Sequence, residues 1–407
     1  NPIRSPLFVA VSILQVMSTA ALPPHKRNWF GVVLWSIAVA VSLWMTGQAV
    51  INAQRFADRP FDFDEAVHAL PAYQIALDLR ALDVAGFVRD TLEQDRLAAY
   101  PFLHSWLLAP ALIFTGADTA SARLANTIFV WISMLLAAWC GRLLASDPHK
   151  ALAGPFAALS LVLLLPIWVY ANSVLLESAG LAVTLAWFGA YLKARPGASM
   201  RWTWLAGCLA AAAFFTKYSF GIFVFGGMVV GEALAMLPER RLDIRRALAL
   251  LAPMVVLGGA WLLLPDKAQR LSAYSTAQQA SLEFWSWENW LYAPINALRF
   301  YSSGPLSAGL MAAAVALAPL RLKEDGSRKT LAAVLAGLAA LTWVPQKDAR
   351  FLYTVAPLLI PPAAALAAQA VSALRGRRSL TALGLTLAAF ELVLGVARLT
   401  LYPEALK

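Results

Sequence analysis

From Trp202 the chain reads WTWLAGCLAAAAFF to Phe215, then Thr216-Lys217-Tyr218, then SFGIFVFGGMVVGEALAML from Ser219 to Leu237, and Pro238-Glu239-Arg240-Arg241 on to Arg246. Two apolar runs are joined by a turn that holds one lysine. A basic knot closes the second run, and another, Lys193 to Arg201, precedes the first. An out-and-back pair of membrane helices has this form. The hydrocarbon core, about 30 Å thick, is crossed by roughly 20 apolar residues at about 1.5 Å per residue. Lys and Arg collect on the cytoplasmic side. Lys217 then stands alone at the outer end of the pair.

The pattern repeats outward from this stretch. Four further knots, His25-Lys26-Arg27, Asp147-Pro148-His149-Lys150, Arg321 to Lys329 and Arg375-Gly376-Arg377-Arg378, divide the chain into pieces that each fit two spans. With all six knots cytoplasmic, the expected spans are Trp29–Ile51, Ser121–Leu144, Ala151–Tyr170, Ser178–Leu192, Trp202–Phe215, Ser219–Leu237, Ala247–Leu264, Pro305–Leu320, Thr330–Val344, Phe351–Ser372 and Ser379–Ala397. The expectation is an all-α integral membrane protein of about 11 transmembrane helices. Composition agrees. The 407 residues are 60% apolar and 14% charged, and mean hydropathy is +0.64. Soluble domains run nearer half apolar and about a quarter charged. A soluble enzyme, a disordered chain and a disulfide scaffold are excluded. The net charge of +10 reads as positive-inside bias and not as a nucleic-acid surface. Cys140 and Cys208 lie in apolar runs, as small hydrophobes do.

Two short apolar stretches need separate treatment. Phe102–Gly116 is too short to span, and counting it would put the knots at Lys193–Arg201 and Arg240–Arg246 outside. It reads as a re-entrant or juxtamembrane helix. Pro6–Leu22 is an interfacial cytoplasmic helix or an extra span. No small-residue cleavage site follows it, so no cleavable signal peptide is expected. Residues 1–28 are therefore the N-terminal segment, 29–398 one transmembrane unit with outer loops 53–120 and 265–304, and 399–407 a short outer tail. Most acids fall on the outer side, and Pro265–Gly304 is rich in aromatics.

The densest chemical signal is Phe61-Asp62-Phe63-Asp64-Glu65-Ala66-Val67-His68, just past the first span. If a helix starts there, Asp64 suits its N-cap, and Glu65 and His68 share a face. Three acids and a histidine beside the membrane also suit a general base or a cation site. Glu177 sits between apolar spans, where a carboxylate is costly without a partner. Lys217, Lys347 and Arg350 are outer cations that run against the charge rule, and an anionic phosphate held at that depth is one reason for them. His104 reads as packing or substrate contact. The chain has no HExxH, CxxC, GxSxG or Walker A motif.

In this order, these pieces resemble the polyprenyl-phosphate-sugar glycosyltransferases of the GT-C fold, the protein O-mannosyltransferases and lipid A aminoarabinose transferases in particular. Four stretches carry the resemblance: Asp64-Glu65-Ala66 with His68-Ala69; Tyr100-Pro101-Phe102-Leu103-His104-Ser105-Trp106 with Arg123-Leu124; Thr216-Lys217 with Gly221; and Arg350-Phe351-Leu352-Tyr353 with Pro357. Two features depart from the pattern. Tyr100 stands near a usual proline, and Glu177 where the second acid is often Asp. The chain given ends after the last span, so the soluble C-terminal domain of some relatives is expected to be missing.

The resemblance implies juxtamembrane helices in the first outer loop and a multi-pass protein of the inner or plasma membrane. It also implies inverting transfer of a hexose or pentose from a polyprenyl-phosphate donor to a hydroxyl of an envelope lipid or glycan, on the extracytoplasmic side. It makes Asp64 the base and Glu65 its catalytic companion, with Lys217, Arg350 and Lys347 on the donor phosphate. His68, Tyr100, His104 and Arg123 would contact substrate. Asp64 and Glu177 would hold a divalent cation, Mg or Mn, where one is used. Nucleic acid is not among the expected partners; membrane lipids are. The competing expectations are a transporter or flippase of a lipid-linked or anionic substrate, resting on Arg142, Glu232 and Glu391, and a scaffold without chemistry.

Overall fold

The computed structural model describes residues 24–55, 60–94, 100–116, 118–239, 243–276, 282–343, 347–374 and 378–405. Pro6–Leu22 lies outside them. The helices are α1 (Pro24–Arg55), α2 (Phe63–Ala81), α3 (Val84–Glu93), α4 (Leu103–Thr115), α5 (Thr119–Asn126), α6 (Ile128–Leu144), α7 (Lys150–Val162), α8 (Leu165–Ala171) and α9 (Leu176–Lys193). They continue as α10 (Met200–Thr216), α11 (Tyr218–Glu239), α12 (Ile244–Leu262), α13 (Lys267–Thr276), α14 (Trp287–Phe300), α15 (Pro305–Leu317), α16 (Asp325–Trp343), α17 (Ile360–Ala373) and α18 (Arg378–Ala405). Among the described residues there is no strand. The protein is an all-α, multi-pass integral membrane protein.

The described residues of the expected spans are mainly helical, Phe351–Ser372 entering through two 3-10 turns. Five stretches are long and apolar enough to cross a membrane, and a sixth qualifies if the bent pair Asp147–Val162 and Leu165–Ala171 is one span. That pair bends by 62°. Pro166 opens α8 without a backbone donor, and Trp168 Nε1 donates to Val162 O at 2.8 Å across the bend. On α1, Leu34, Ala38, Val41 and Met45 recur at helical spacing and are buried, while Val32 and Leu43 on the other face are exposed. A helix apolar on every face is a membrane helix. The last helix, α18, continues to Ala405.

The stretch between α1 and α6 folds into a small unit of its own. Ala69, Ala72, Ile75 and Ala76 of α2 pack on Leu108, Ala109 and Leu112 of α4, with Ala122 of α5 and Val174 closing the cluster. Alanine at three of the four α2 positions lets the two helices approach closely.

Buried charges at the far end of α11 are paired. Glu232 forms an ion pair with Arg246 at 3.0 Å and accepts from the Tyr191 hydroxyl at 3.3 Å. Lys329 donates to the Tyr191 and Ala194 carbonyls at 2.7 and 2.8 Å and pairs with Asp325 at 2.7 Å. Glu391 of α18 caps α15, accepting from Ser303 Oγ at 2.8 Å and Ser307 N at 2.9 Å.

Candidate functional site

Four helix beginnings meet at this small unit. The first is α2. Its cap is Asp62, not Asp64: the Asp62 carboxylate accepts from Glu65 N at 2.8 Å, and the Glu65 side chain accepts from Asp62 N at 3.4 Å. This reciprocal capping box puts Asp64 in the first turn with its side chain 53% exposed. One turn on, His68 faces inward, and its ring meets Tyr100 and His104 at centroid distances of 4.9 and 5.9 Å.

The second beginning is α9, with Glu177 in its first turn, and the third is the break between α10 and α11. Lys217 is extended there, at φ −156° and ψ 130°. Its Nζ donates to Glu177 Oε1 at 2.9 Å, and both side chains are buried. Two glycines make the meeting possible. A Cβ on Gly180 of α9 would sit 2.0 Å from the Phe220 ring, and one on Gly221 would sit 2.3 Å from Phe214 Cβ. Gly180 admits α11 against α9, and Gly221 admits the tight elbow that presents Lys217. Three rings enclose the ammonium, Phe220 at 5.3 Å, Phe351 at 5.6 Å and Tyr100 at 5.8 Å, within cation–π range.

The fourth beginning is the 3-10 turn Ala349–Tyr353. Asp348 caps it, accepting from the Arg350 backbone at 2.8 Å and from Arg350 Nε at 2.7 Å. Arg350 Nη1 donates to Asp64 Oδ2 at 2.9 Å. Tyr353 anchors the turn below, edge-on to Tyr170 at 5.0 Å and Tyr301 at 6.1 Å.

Asp64, His68, Tyr100, His104, Glu177, Lys217 and Arg350 are thus one constellation. Lys217 and Arg350 both act electrostatically on His68. Burial, then His104, then these two cations hold its imidazole well below the usual histidine range. Burial pushes His104 down to about 4, against the opposing pull of Asn126 and Glu177.

Three predicted residues are employed differently from expectation. Glu65 has no free oxygen for catalysis. Arg123 grips it through Nε at 2.8 Å and Nη2 at 2.5 Å, and Val174 N donates to it at 3.2 Å. Arg123 is correspondingly committed to Glu65, with Nη2 also on Pro60 O at 3.3 Å. Together they strut α2 and α5 against the loop that leads to Glu177. Lys347 closes the end of α16, donating to Leu341 O at 2.8 Å and Thr342 O at 3.0 Å.

Asp64 and Glu177 each already hold a cationic side chain. Among the described residues no three His, Cys, Asp or Glu side chains are grouped to hold a metal. Asp348 and the ring cage of Lys217 were not singled out from the sequence. The Asp348-x-Arg350 spacing is the one local signal that could have pointed to Asp348.

No family model and no curated protein matches the chain. Solved structures do. ArnT from Cupriavidus metallidurans bound to undecaprenyl phosphate aligns with a TM-score of 0.58 at 17% identity, over 83% of this chain and 60% of its own. The Archaeoglobus fulgidus oligosaccharyltransferase in the apo form aligns at 0.57 and 13%, over 90% and 56%. AglB from the same organism, in complex with an inhibitory peptide and a dolichol-phosphate, aligns at 0.55 and 13%, over 93% and 56%. The chain spans a little under three fifths to three fifths of the length of these structures. The likeness is one of fold: the chain has the GT-C fold of membrane glycosyltransferases.

Proposed function

We propose that the protein is an inverting glycosyltransferase. It moves a hexose or pentose from a polyprenyl phosphate to a hydroxyl of an envelope lipid or glycan, on the extracytoplasmic side of the inner or plasma membrane. The observation that carries this reading is that Arg350, paired with Asp64, and Lys217, paired with Glu177, both act on the one buried imidazole of His68. The chemistry asks for these groups. The acceptor oxygen bonds to the anomeric carbon while the bond from that carbon to the phosphate oxygen breaks. The electron pair leaves with the phosphate, and the acceptor proton passes to a base.

Asp64 is that base, as the exposed acid of the group. Arg350 and Lys217 receive the developing phosphate charge, and the Lys217–Glu177 bond brings the starts of α9 and α11, the ends that favour negative charge, next to each other. His68 and Tyr100 line the sugar side, and His104 backs His68. Glu65, Arg123 and Lys347 act through position. Residues 29–398 form the catalytic unit in this reading. The acids that a transporter would need are committed to structure: Glu232 to Arg246 and Glu391 to the cap of α15.

The test is mass spectrometry of envelope lipids and glycans with and without the protein. One sugar substituent is expected to disappear, with its polyprenyl-phosphate donor accumulating. An unchanged envelope in cells that make the donor overturns the reading.

A further inference from the structure

The guanidinium of Arg350 is held by two acids of different kinds. Asp348 lies two residues upstream in the same turn and takes both Nε and the backbone N–H. That contact is local and travels with the turn. Asp64 comes from α2 and takes Nη1 alone. The Asp64 side chain is 53% exposed and that of Arg350 37%. An ion pair this open is weak in water and readily exchanged. The Lys217–Glu177 pair is the contrast: it is closed from solvent, and separating such a pair leaves a buried charge. Of the two cations, Arg350 is therefore the one whose partner can change.

We infer that Arg350 exchanges Asp64 for the donor phosphate. This rests on the reading of function above, from which it takes the phosphate contact. In the donor-free protein Nη1 is bonded to Asp64. When a polyprenyl phosphate is seated, a phosphate oxygen takes over Nη1 while Asp348 keeps Nε as the fixed point. Asp64 is then released to accept the proton of the acceptor hydroxyl. The base is free only after the donor has arrived, so the donor binds first and the acceptor second. Asp348 is what allows the exchange without loss of aim: the guanidinium changes partner at one edge while the other stays fixed.

The experiment measures undecaprenyl phosphate binding to the full chain in nanodiscs. Asp64→Asn removes the competitor for Nη1, so the fraction of protein ready to bind rises and the affinity with it. The expected gain is about two- to fivefold, the range set by an exposed ion pair. Arg350→Gln weakens binding, and in that background Asp64→Asn has no further effect. The second condition separates exchange from plain repulsion between Asp64 and phosphate, which would persist without Arg350. Asp64→Ser is expected to reproduce the gain and covers the case in which Asp64→Asn folds poorly. No gain, or a gain that survives in Arg350→Gln, overturns the exchange and leaves the phosphate contact standing. An Arg350→Gln protein that binds undecaprenyl phosphate as well as the parent overturns the phosphate contact itself, and with it the reading of function.

Discussion

Lys217 Nζ and Glu177 Oε1 lie 2.9 Å apart inside the bundle, joining the start of α11 to the start of α9 across the intervening α10. Removing one partner of a buried pair strands the other charge, at a cost of about 3–5 kcal/mol. Glu177→Gln and Lys217→Met are each expected to lower the melting temperature in detergent sharply. The double substitution is expected to recover most of the loss. Single variants as stable as the parent would show that the pair is open to water.

Asp64 and Glu65 are neighbours with opposite dependences. Asp64 is half exposed and its Oδ2 contact is to Arg350; Glu65 is buried and fully bonded. Asp64→Asn is expected to leave the melting temperature within a degree or two and to cut transfer by about 10²–10⁴-fold, the range of general acid–base catalysis. Glu65→Gln is expected to lower stability and activity together, because the strut from Arg123 to the Val174 loop loosens. Melting curves and initial rates on both variants decide it. An Asp64→Asn enzyme with parental rates refutes the assignment of the base.

Gly180 makes room for the Phe220 ring. Gly180→Ala forces the ring aside, and overpacking of this kind costs about 1–3 kcal/mol. Phe220→Leu in the same chain is expected to relieve most of it. If Gly180→Ala is neutral by itself, α9 and α11 do not approach as closely as described.

His104 is fully buried and titrates near 4 in the folded protein, against 6.5 for a free histidine. Between these values the unfolded chain binds more protons than the fold, so stability rises with pH across the window and is lost as pH falls from about 6.5 toward 4. The whole shift corresponds to roughly 3 kcal/mol. Thermal melts from pH 7.5 to 4.5 are expected to show this decline, and His104→Gln to make it shallower, the depressed His68 supplying the remainder. A parent protein with no slope in that window contradicts the buried neutral imidazole.

The helices were legible where apolar length and charge were the signal: Trp202–Phe215 and Ser219–Leu237 fall within α10 and α11, with the break at Lys217. The neighbourhood of Asp64, Lys217 and Arg350 was suggested by their position outside the spans, because an outer cation beside an acidic loop is locally improbable. What each carboxylate bonds was not legible. Glu65 meets Arg123 58 residues away, and Lys347 turns back on α16. Both depend on where elements come to rest in space, which periodicity does not encode. The Asp62 cap was readable in principle, since Asp62 and Glu65 stand at capping-box spacing, and assigning the cap to Asp64 moved the helix start past Phe63.

The most direct test is a transfer assay on the purified chain in nanodiscs, with a polyprenyl-phosphate sugar labelled in the sugar and an envelope-lipid extract as acceptor. The expected result is label in a new product whose anomeric configuration is inverted, polyprenyl phosphate released in equal amount, and neither in Asp64→Asn. Retained configuration, or release of polyprenyl phosphate at the same rate from Asp64→Asn, would contradict the account.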